Sequence, residues 1–540
     1  MQKVLTAAEM REVDRLTTEK YGIPSILLME NAAHAAARVI TEKLGGSVAG
    51  KSFFILCGKG NNGGDGAALA RILWTLGADC YVYLFGKIED TKGDAKTNFE
   101  ILRKITDAGN IKRNCLFIAE IQNVQELSPI VMFGEESCVI DALFGTGLSK
   151  NIEGEIKPFF SIISTLANKK KVFTFISLDL PSGLDANLSR PIGLTIQSDL
   201  TVTFTAPKPA NILPPASRLN GELVILNIGS PQELIDNSPS QLFVSEKSDA
   251  LEWLGKTEFA PDSHKTKRGR ALIIAGSRDM AGAAVLGANA AMSSGLGLVR
   301  VATPKSAQIA VASRTAPECM VAGVAETEKG AISHEALAEL LELTGKADVV
   351  AIGSGLTSDE ETTKKLVREF VEQRKFPIVI DADGLNALAP FDLQGSDEFP
   401  IILTPHIGEM RRLFGDEAAD FSDAVKIARE FAQKHHIILV LKGERSLIAA
   451  PDGRVVVNPT GNSALGKAGA GDNLCGIITG FLAQSYGAMG ENADAFPAVV
   501  AALYISGMAG DIAAEKIGKR TMTATDVREC LGDAFRELEK

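Results

Sequence analysis

The sequence has no Cys-x-x-Cys pair. Its seven cysteines (Cys57, Cys80, Cys115, Cys138, Cys319, Cys475 and Cys530) are odd in number and widely spread. That excludes a disulfide scaffold, leaves nothing with structural-zinc spacing, and points to a reducing compartment, the cytoplasm. An excess of positive charge is also missing: 56 Lys and Arg stand against 67 Asp and Glu, a net charge of −11. No global field exists to hold nucleic acid or an anionic membrane surface, so any phosphate-bearing ligand must be gripped locally. The first twenty residues mix Lys3, Glu9, Arg11, Glu12, Asp14 and Arg15 with apolar positions at helical spacing, and lack the continuous apolar core of a secretory leader. They predict a structural helix. The uncharged run from Ala281 to Val299 is long enough to span a bilayer, but Gly282, Gly287, Asn289, Ser293, Ser294, Gly295 and Gly297 interrupt it. It predicts a buried helix ending near Gly295, followed by a strand from Leu298 to Ala302.

What remains is an ordinary globular composition, 45% hydrophobic and 23% charged. At roughly 150 residues per domain, 540 residues mean more than one domain. Strand-like and helical runs alternate, the pattern of parallel α/β sheets with helices on both faces. The expected strands in the first part are Lys51–Cys57, Cys80–Phe85, Cys115–Ile118, Cys138–Ala142, Val172–Leu178, Leu200–Thr205 and Glu222–Asn227. A second series runs through Ala271–Ala275, Leu298–Ala302, Asp348–Ile352, Pro377–Ile380, Ile401–Thr404, Ile437–Leu441, Ser446–Ala450 and Val455–Asn458. Between them the rhythm is lost from Gly229 to Ser263, around Pro231, Pro239 and Pro261, which places the domain boundary there, at residues 230 and 231. No repeat relates the two halves.

The run Ile55–Leu73, ILCGKGNNGGDGAALARIL, reads as a buried strand, a glycine-rich turn and a helix starting near Asp65. Glycines there permit positive φ and close backbone approach, and helix-N-terminal amides suit an anion. Asn61, Asn62 and Asp65 depart from the dinucleotide fingerprint and crowd the turn with oxygens, which suits a cation as well. A plain turn capped by Asp65 is the simpler reading of the cluster alone. Two further strand ends, VIDALFGTGLSKNIEG (139–154) and ISLDLPSGLDA (176–186), each finish in an aspartate and a glycine-containing turn. In an open parallel sheet such ends share one crevice, where Asn62, Asp141 and Ser182 converge with Asp179 nearby.

These three motifs closely resemble those of the NAD(P)H-hydrate epimerase domain. The resemblance implies a Rossmann-like three-layer sandwich and a potassium ion held by Asn62, Asp141 and Ser182. It also implies substrate contacts from Asn61, Asn62, Gly63, Gly64 and Asp65, from Gly145, Thr146, Gly147, Leu148, Ser149, Lys150 and Asn151, and from Asp179. The chemistry itself is accessible to one acid/base group, since a hydroxyl beside a ring nitrogen can leave as an iminium forms and return on the other face. Asp179 is the choice for that group, against Asp185 or Asp65, provided burial raises its pKa.

The second half carries a different loop. NPTGNSALGKAGAGDNLCGIITGFLAQ (458–484) places Gly469, Gly471 and Asp472 at the entrance of an apolar helix, without the Walker lysine. Asp472 can be a plain N-cap, or it can take a proton from an attacking hydroxyl while backbone amides steady a transferring phosphoryl group. AIGSGL (351–356), VIDADGLNAL (379–388), LTPHIGEM (403–410) and VLKGERSLIAA (440–450) put polar or glycine residues after other strands. His406, after a Thr-Pro turn, suits a binding role or a turn hydrogen bond equally. No His-x-x-x-His or cysteine cluster suggests a zinc site.

Together with HKTKRGRALIIAGS (264–277), these segments resemble the ADP-dependent NAD(P)H-hydrate dehydratase domain, a ribokinase-like three-layer α/β fold. The whole chain is thereby identified as a member of the bifunctional NAD(P)H-hydrate repair family, with the epimerase at 1–230 and the dehydratase at 231–540. The resemblance implies nucleotide contacts from Lys442, Gly443, Glu444, Arg445, Ser446 and Gly471, and substrate contacts from Gly355, His406 and Asp472. It also implies ADP as co-substrate, hydrated NADH and NADPH as substrates, magnesium with the nucleotide and a homo-oligomer. Departures from the family pattern fall at Ser354, Ile407 and Asn473. The competing reading is a vitamin or sugar kinase with a noncatalytic N-terminal module; a dinucleotide-dependent oxidoreductase is disfavoured by the missing fingerprint.

Overall fold

The computed structural model describes residues 1–108, 114–122, 137–168, 174–261, 263–357, 360–415 and 421–540. The chain forms two compact units, one of Lys3–Ser240 and one of Gln241–Lys540 with Met1–Gln2.

Among the described residues the first unit has seven strands: β1 (Ser52–Cys57), β2 (Asp79–Phe85), β3 (Leu116–Ile121), β4 (Cys138–Ala142), β5 (Thr174–Leu178), β6 (Leu200–Phe204) and β7 (Glu222–Leu226). Each coincides with a strand read from the sequence; residues 172 and 173 of the expected fifth strand lie outside the described residues. All pairings are parallel, in the order β3-β2-β1-β4-β5-β6-β7. The chain winds outward from β1 to β3, then resumes on the other side at β4. Ligand crevices of open α/β sheets form at such a reversal, beyond the carboxyl ends of the strands. Two helices matter for the site, α1 (Ala7–Glu19) and α2 (Asn61–Thr75). The segment after β7 packs here too, Leu234 and Ile235 joining Leu5, Met10, Val13 and Ala206 in a small core.

Helix α2 begins at Asn61, four residues before the start expected at Asp65, with Gly60 as its N-cap. The glycines therefore lie inside the first helical turns. Their reason is proximity rather than positive φ: a Cβ on Gly63 would stand 1.8 Å from the Gly58 carbonyl oxygen, and one on Gly66 2.7 Å from the Ala142 Cβ and 2.9 Å from the Cys57 sulfur. Only glycine lets this helix press against β1 and β4.

The second unit continues with β8 (Leu242–Val244), β9 (Arg270–Ile274), β10 (Leu298–Pro304), β11 (Met320–Val324), β12 (Val349–Ile352), β13 (Ile378–Ile380), β14 (Ile401–Leu403), β15 (Ile438–Leu441), β16 (Leu447–Ala449) and β17 (Val455–Val457). Their order is β8-β17-β16-β15-β14-β13-β12-β9-β10-β11, with β16 antiparallel to both neighbours and the other pairs parallel. The reversal lies between β9 and β12. β8 and β11 had no counterpart in the sequence reading: the first is three residues long, and the second is an edge strand whose Met320 is exposed. The uncharged run at 281–299 divides as expected, into α3 (Ala281–Ser293) and the start of β10. Between β14 and β15 stands α4 (Ile407–Phe414), and after β17 come α5 (Ala470–Met489) and α6 (Ala495–Ile517). Helix α6 is long and apolar enough to cross a membrane, but Val499, Ala502, Ile505 and Ala509 are fully buried in the core of this unit. It is a core helix.

Candidate active sites

At the reversal of the first sheet, Asp141 ends β4 entirely buried. Its Oδ1 accepts from the Ser182 hydroxyl at 2.6 Å and the Leu143 amide at 3.3 Å, and its Oδ2 from the Ser182 amide at 2.8 Å and the Ser177 hydroxyl at 2.9 Å. Burial pushes its carboxyl up; the hydrogen bonds from Ser182, Ser177 and Leu143 hold it down. These bonds tie the turn after β5 to the end of β4, and the Ser182 hydroxyl also accepts from the Phe144 amide at 2.9 Å. Asn62, in the first turn of α2, is nine-tenths buried, and both atoms of its amide lack a hydrogen-bond partner. A buried amide left this way is a group awaiting a ligand. Its neighbour is Gly145, where a Cβ would meet the Asn62 side chain at 3.3 Å on one side and the Asp179 Oδ2 at 2.9 Å on the other.

Asp179 follows β5 with φ +66, a left-handed backbone that a non-glycine residue holds only when its surroundings enforce it. Its amide donates to the Val202 carbonyl at 2.7 Å. Oδ2 accepts from the Thr146 amide at 3.1 Å, and Oδ1 from the Lys208 ammonium at 2.6 Å and the Thr203 hydroxyl at 3.3 Å. Lys208 is fully buried and also donates to the Thr203 hydroxyl and the Phe204 carbonyl. Asp179, the expected acid/base group, is thus held in an ion pair with a buried lysine. Asp65, like Asp141, is raised: burial pushes it well above the ordinary range, Asp179 and Asp14 add to the push, and Lys208 opposes it. Asp185, the other alternative, folds back to accept from the Asn187 amide at 2.9 Å and closes its own turn. In the turn from Gly145 to Asn151, Thr146 meets Asp179, Leu148 packs half-buried against a core cluster of the unit, and Ser149, Lys150 and Asn151 are exposed.

In the second unit, Gly469 caps α5 with φ +85, where a side chain would be strained and would strike Leu286. Gly471 and Asp472 fall in the first helical turn, so Asp472 is not the cap. It lines a small cavity with Ala283, Gly287, Gly353, Ser354 and Cys475 at the reversal between β9 and β12. Burial raises its carboxyl; the neighbouring Ser354 hydroxyl opposes that, Asp381 and Asp383 add to it, and Lys442 lowers it. Beside it is a buried ion pair: the Lys442 ammonium donates to Asp381 Oδ1 at 2.7 Å, as does the Thr404 hydroxyl, also at 2.7 Å. Burial would lower the Lys442 ammonium, but the Asp381 charge outweighs it and holds it above its ordinary value. A Cβ on Gly471 would stand 3.6 Å from the Lys442 nitrogen and 3.7 Å from Asp381 Oδ2, so the glycine loop, the lysine and the buried carboxylate meet at one point.

His406 is the N-cap of α4, its Nδ1 accepting from the Gly408 and Glu409 amides at 2.9 and 3.2 Å. It pairs with Lys442 in an isolated parallel bridge, which puts its exposed ring beside the lysine's strand end. Gly355, φ +69, packs against Ala283 and Met280. Within the loop from Lys442 to Ser446, Gly443 and Glu444 are exposed, and burial lowers the Arg445 guanidinium. Sequence reasoning assigned no role to Lys208, Asp14, Thr203 or Ser177 in the first unit, nor to Asp381, Thr404 or Ser354 in the second. A lysine four residues beyond β6 and an aspartate closing β13 were the available signals. Among the described residues no three His, Cys, Asp or Glu side chains cluster to hold a metal.

Residues 271–532 match the NAD(P)H-hydrate dehydratase family, and residues 25–210 match the family described as the YjeF-related protein N-terminus. The chain is 39% identical to the bifunctional NAD(P)H-hydrate repair enzyme of Moorella thermoacetica, over 99% of this chain and 97% of that one. It is 35% identical to the enzyme of the same description from Thermofilum pendens, over 100% and 97%. Among solved structures, an ADP/ATP-dependent NAD(P)H-hydrate dehydratase from Bacillus subtilis, co-crystallised with ATP and Mg2+, is 31% identical with a TM-score of 0.45, covering 52% of this chain and 94% of that one.

Proposed function

The chain belongs to the bifunctional NAD(P)H-hydrate repair enzymes, and on that footing we propose which residues carry its two reactions. It is an epimerase and a dehydratase in one polypeptide: the first unit interconverts the R and S forms of hydrated NAD(P)H, and the second returns the hydrate to NAD(P)H.

The observation that carries the dehydratase assignment is the meeting of Asp472, Gly471 and the Lys442–Asp381 pair at one strand-end crevice. Hydroxide is a poor leaving group; a phosphate ester is a good one. Asp472 takes the proton of the substrate hydroxyl as that oxygen attacks the terminal phosphorus of ADP, and AMP departs with the electrons of the broken P–O bond. The ring nitrogen's lone pair then expels phosphate, and loss of a proton from the adjacent carbon restores the dihydronicotinamide. The ammonium of Lys442 and the amides at the start of α5 face the charge that develops on the phosphoryl oxygens. Magnesium is commonly held by one or two carboxylates together with substrate phosphates, and Asp381, whose Oδ2 lies beside Gly471, fits that pattern; the ion would screen the nucleotide's charge. Gly443 to Ser446 and His406 border the same crevice and serve nucleotide and substrate binding.

In the first unit, Asn62, Asp141 and Ser182 present amide, carboxylate and hydroxyl oxygens, and Asn62 Oδ1 is buried without a partner. That donor set fits potassium, which would neutralise Asp141 and steady an anionic substrate group. The first-turn amides of α2, from Asn61 to Gly63, suit the substrate phosphate with Gly64 beside them, and Asp179 exchanges protons with the hydroxyl or the returning water. The seven unpaired cysteines suit a reducing compartment, and we place the enzyme in the cytoplasm.

Incubating S-hydrated NADH with ADP and magnesium tests the reading. NADH absorbance should return with release of AMP and phosphate. A stable phosphorylated substrate in place of NADH would make the second unit a kinase.

A further inference from the structure

We propose that Asp14, on helix α1 outside the sheet, is a positioning residue of the epimerase site. With Lys208 it sets the charge around Asp65 and Asp179, so that Asp65 carries the proton given to the departing hydroxyl and Asp179 receives the one surrendered by returning water. The inference rests on the epimerase reading of the first unit and assigns an asymmetry to its carboxylates.

The placement of α1 makes the case. Ala7, Met10, Val13 and Thr17 are its buried residues, and Asp14 falls between them, four residues from Met10 and three from Thr17, on the inward face. That face packs against Leu180 and Ala210 through Ala7, and against Ala206 through Met10 and Val13. Those positions flank Asp179 and Lys208. Leu5 reinforces the docking, its amide donating to the Pro207 carbonyl at 2.9 Å. A helix with only a packing role has no use for a carboxylate there, yet Asp14 Oδ1 is buried without a hydrogen-bond partner. The second orphan at this site is Asn62, whose unpartnered amide adjoins Gly145 and hence Asp179.

Charge balance then divides the roles. The charges acting on Asp65 are those of Asp179, Asp14 and Lys208, and burial pushes up the Cys57 thiol that shares its surroundings. The groups facing Asp14 are Lys208 and Asp179. One ammonium cannot offset three ionised carboxylates in a desolvated pocket. Lys208 is committed to Asp179 by a 2.6 Å hydrogen bond, and Asp14, raised only to about 6, ionises before Asp65, so it is Asp65 that holds its proton through neutrality under the Asp14 charge. In the forward step the C–O bond breaks with its electrons on oxygen, Asp65 supplies the proton that makes it water, and the ring nitrogen's pair closes the iminium. On return, water bonds the same carbon from the other face and its proton passes to Asp179, then back to Asp65.

The test is the exchange rate between R- and S-hydrated NADH, without ADP, across the neutral pH range, on the full chain and its Asp14→Asn and Asp14→Glu variants. Removing the Asp14 charge eases ionisation of Asp65, so in Asp14→Asn the alkaline fall of the rate should move to lower pH. The rate near neutrality should drop at least about ten-fold with little change in KM. Asp14→Glu should restore both, and Asp65→Asn should abolish the alkaline limb, which tests the proposal even if Asp14→Asn does not fold. An Asp14→Asn profile that superimposes on the parent after scaling, with only a lowered melting temperature, overturns the proposal and leaves Asp14 structural. A parent chain with no exchange at all fails earlier, at the epimerase reading itself.

Discussion

Asp472 and Asp14 are both aspartates that burial has pushed upward, and each makes a pH prediction with a definite sign. A general base must be ionised, so dehydration falls as pH drops through the raised Asp472 value, at higher pH than an exposed carboxylate would give. Asp472→Asn should slow dehydration by about 10²–10⁴ and remove that acid limb, while epimer exchange continues. Asp14 bears on stability. Its folded-state value, about 6 against an ordinary 3.8, means that it favours the fold while protonated. That contribution is full below the unfolded value and lost as pH rises through the folded one. Relative to the parent chain, Asp14→Asn should gain about 3 kcal/mol between acid and neutral pH, read from urea unfolding. Asn62, Asp141, Asp179 and Ser182 could be picked out from the sequence because each stands at or shortly after the end of an apolar strand that glycines follow. Lys208 and Asp381 could not: their partners lie 29 and 61 residues away, and only folding brings them together.

At the level of elements, strand ends were readable and helix starts were not. Buried parallel strands announce themselves as short apolar runs, and each expected strand formed within a few residues of its place. The start of α2 was misplaced because glycines are poor helix formers by propensity, and local preference was overridden by the need for close packing against β1 and β4. Gly66→Ala measures that override. With 2.7 Å to the Ala142 Cβ and no flexible side chain to yield, it should destabilise by roughly 1–3 kcal/mol, seen as a lower urea midpoint with unchanged slope. An unchanged midpoint would mean that helix and strand separate freely. The edge strand β11 was missed for the opposite reason, its half-solvated residues carrying no strong pattern.

For the whole molecule, two α/β units with unrelated glycine motifs divide one repair task, and the division predicts separable failures. Given an equal mixture of R- and S-hydrated NADH with ADP, the parent should restore NADH completely. Asp179→Asn should restore the S share at the parent's rate and then slow to spontaneous epimerisation; full recovery at the parent's rate would remove Asp179 from the reaction. Neither result addresses how the hydroxyl leaves, on which the account of the second unit depends. That is settled by following heavy oxygen placed in the hydroxyl of S-hydrated NADH, with mass analysis of the phosphate released as ADP is consumed. Phosphoryl transfer to the substrate followed by C–O cleavage predicts that the label appears in phosphate, and that Asp472→Asn suppresses labelled phosphate and NADH together. Label found in water, with phosphate carrying solvent oxygen, would contradict it.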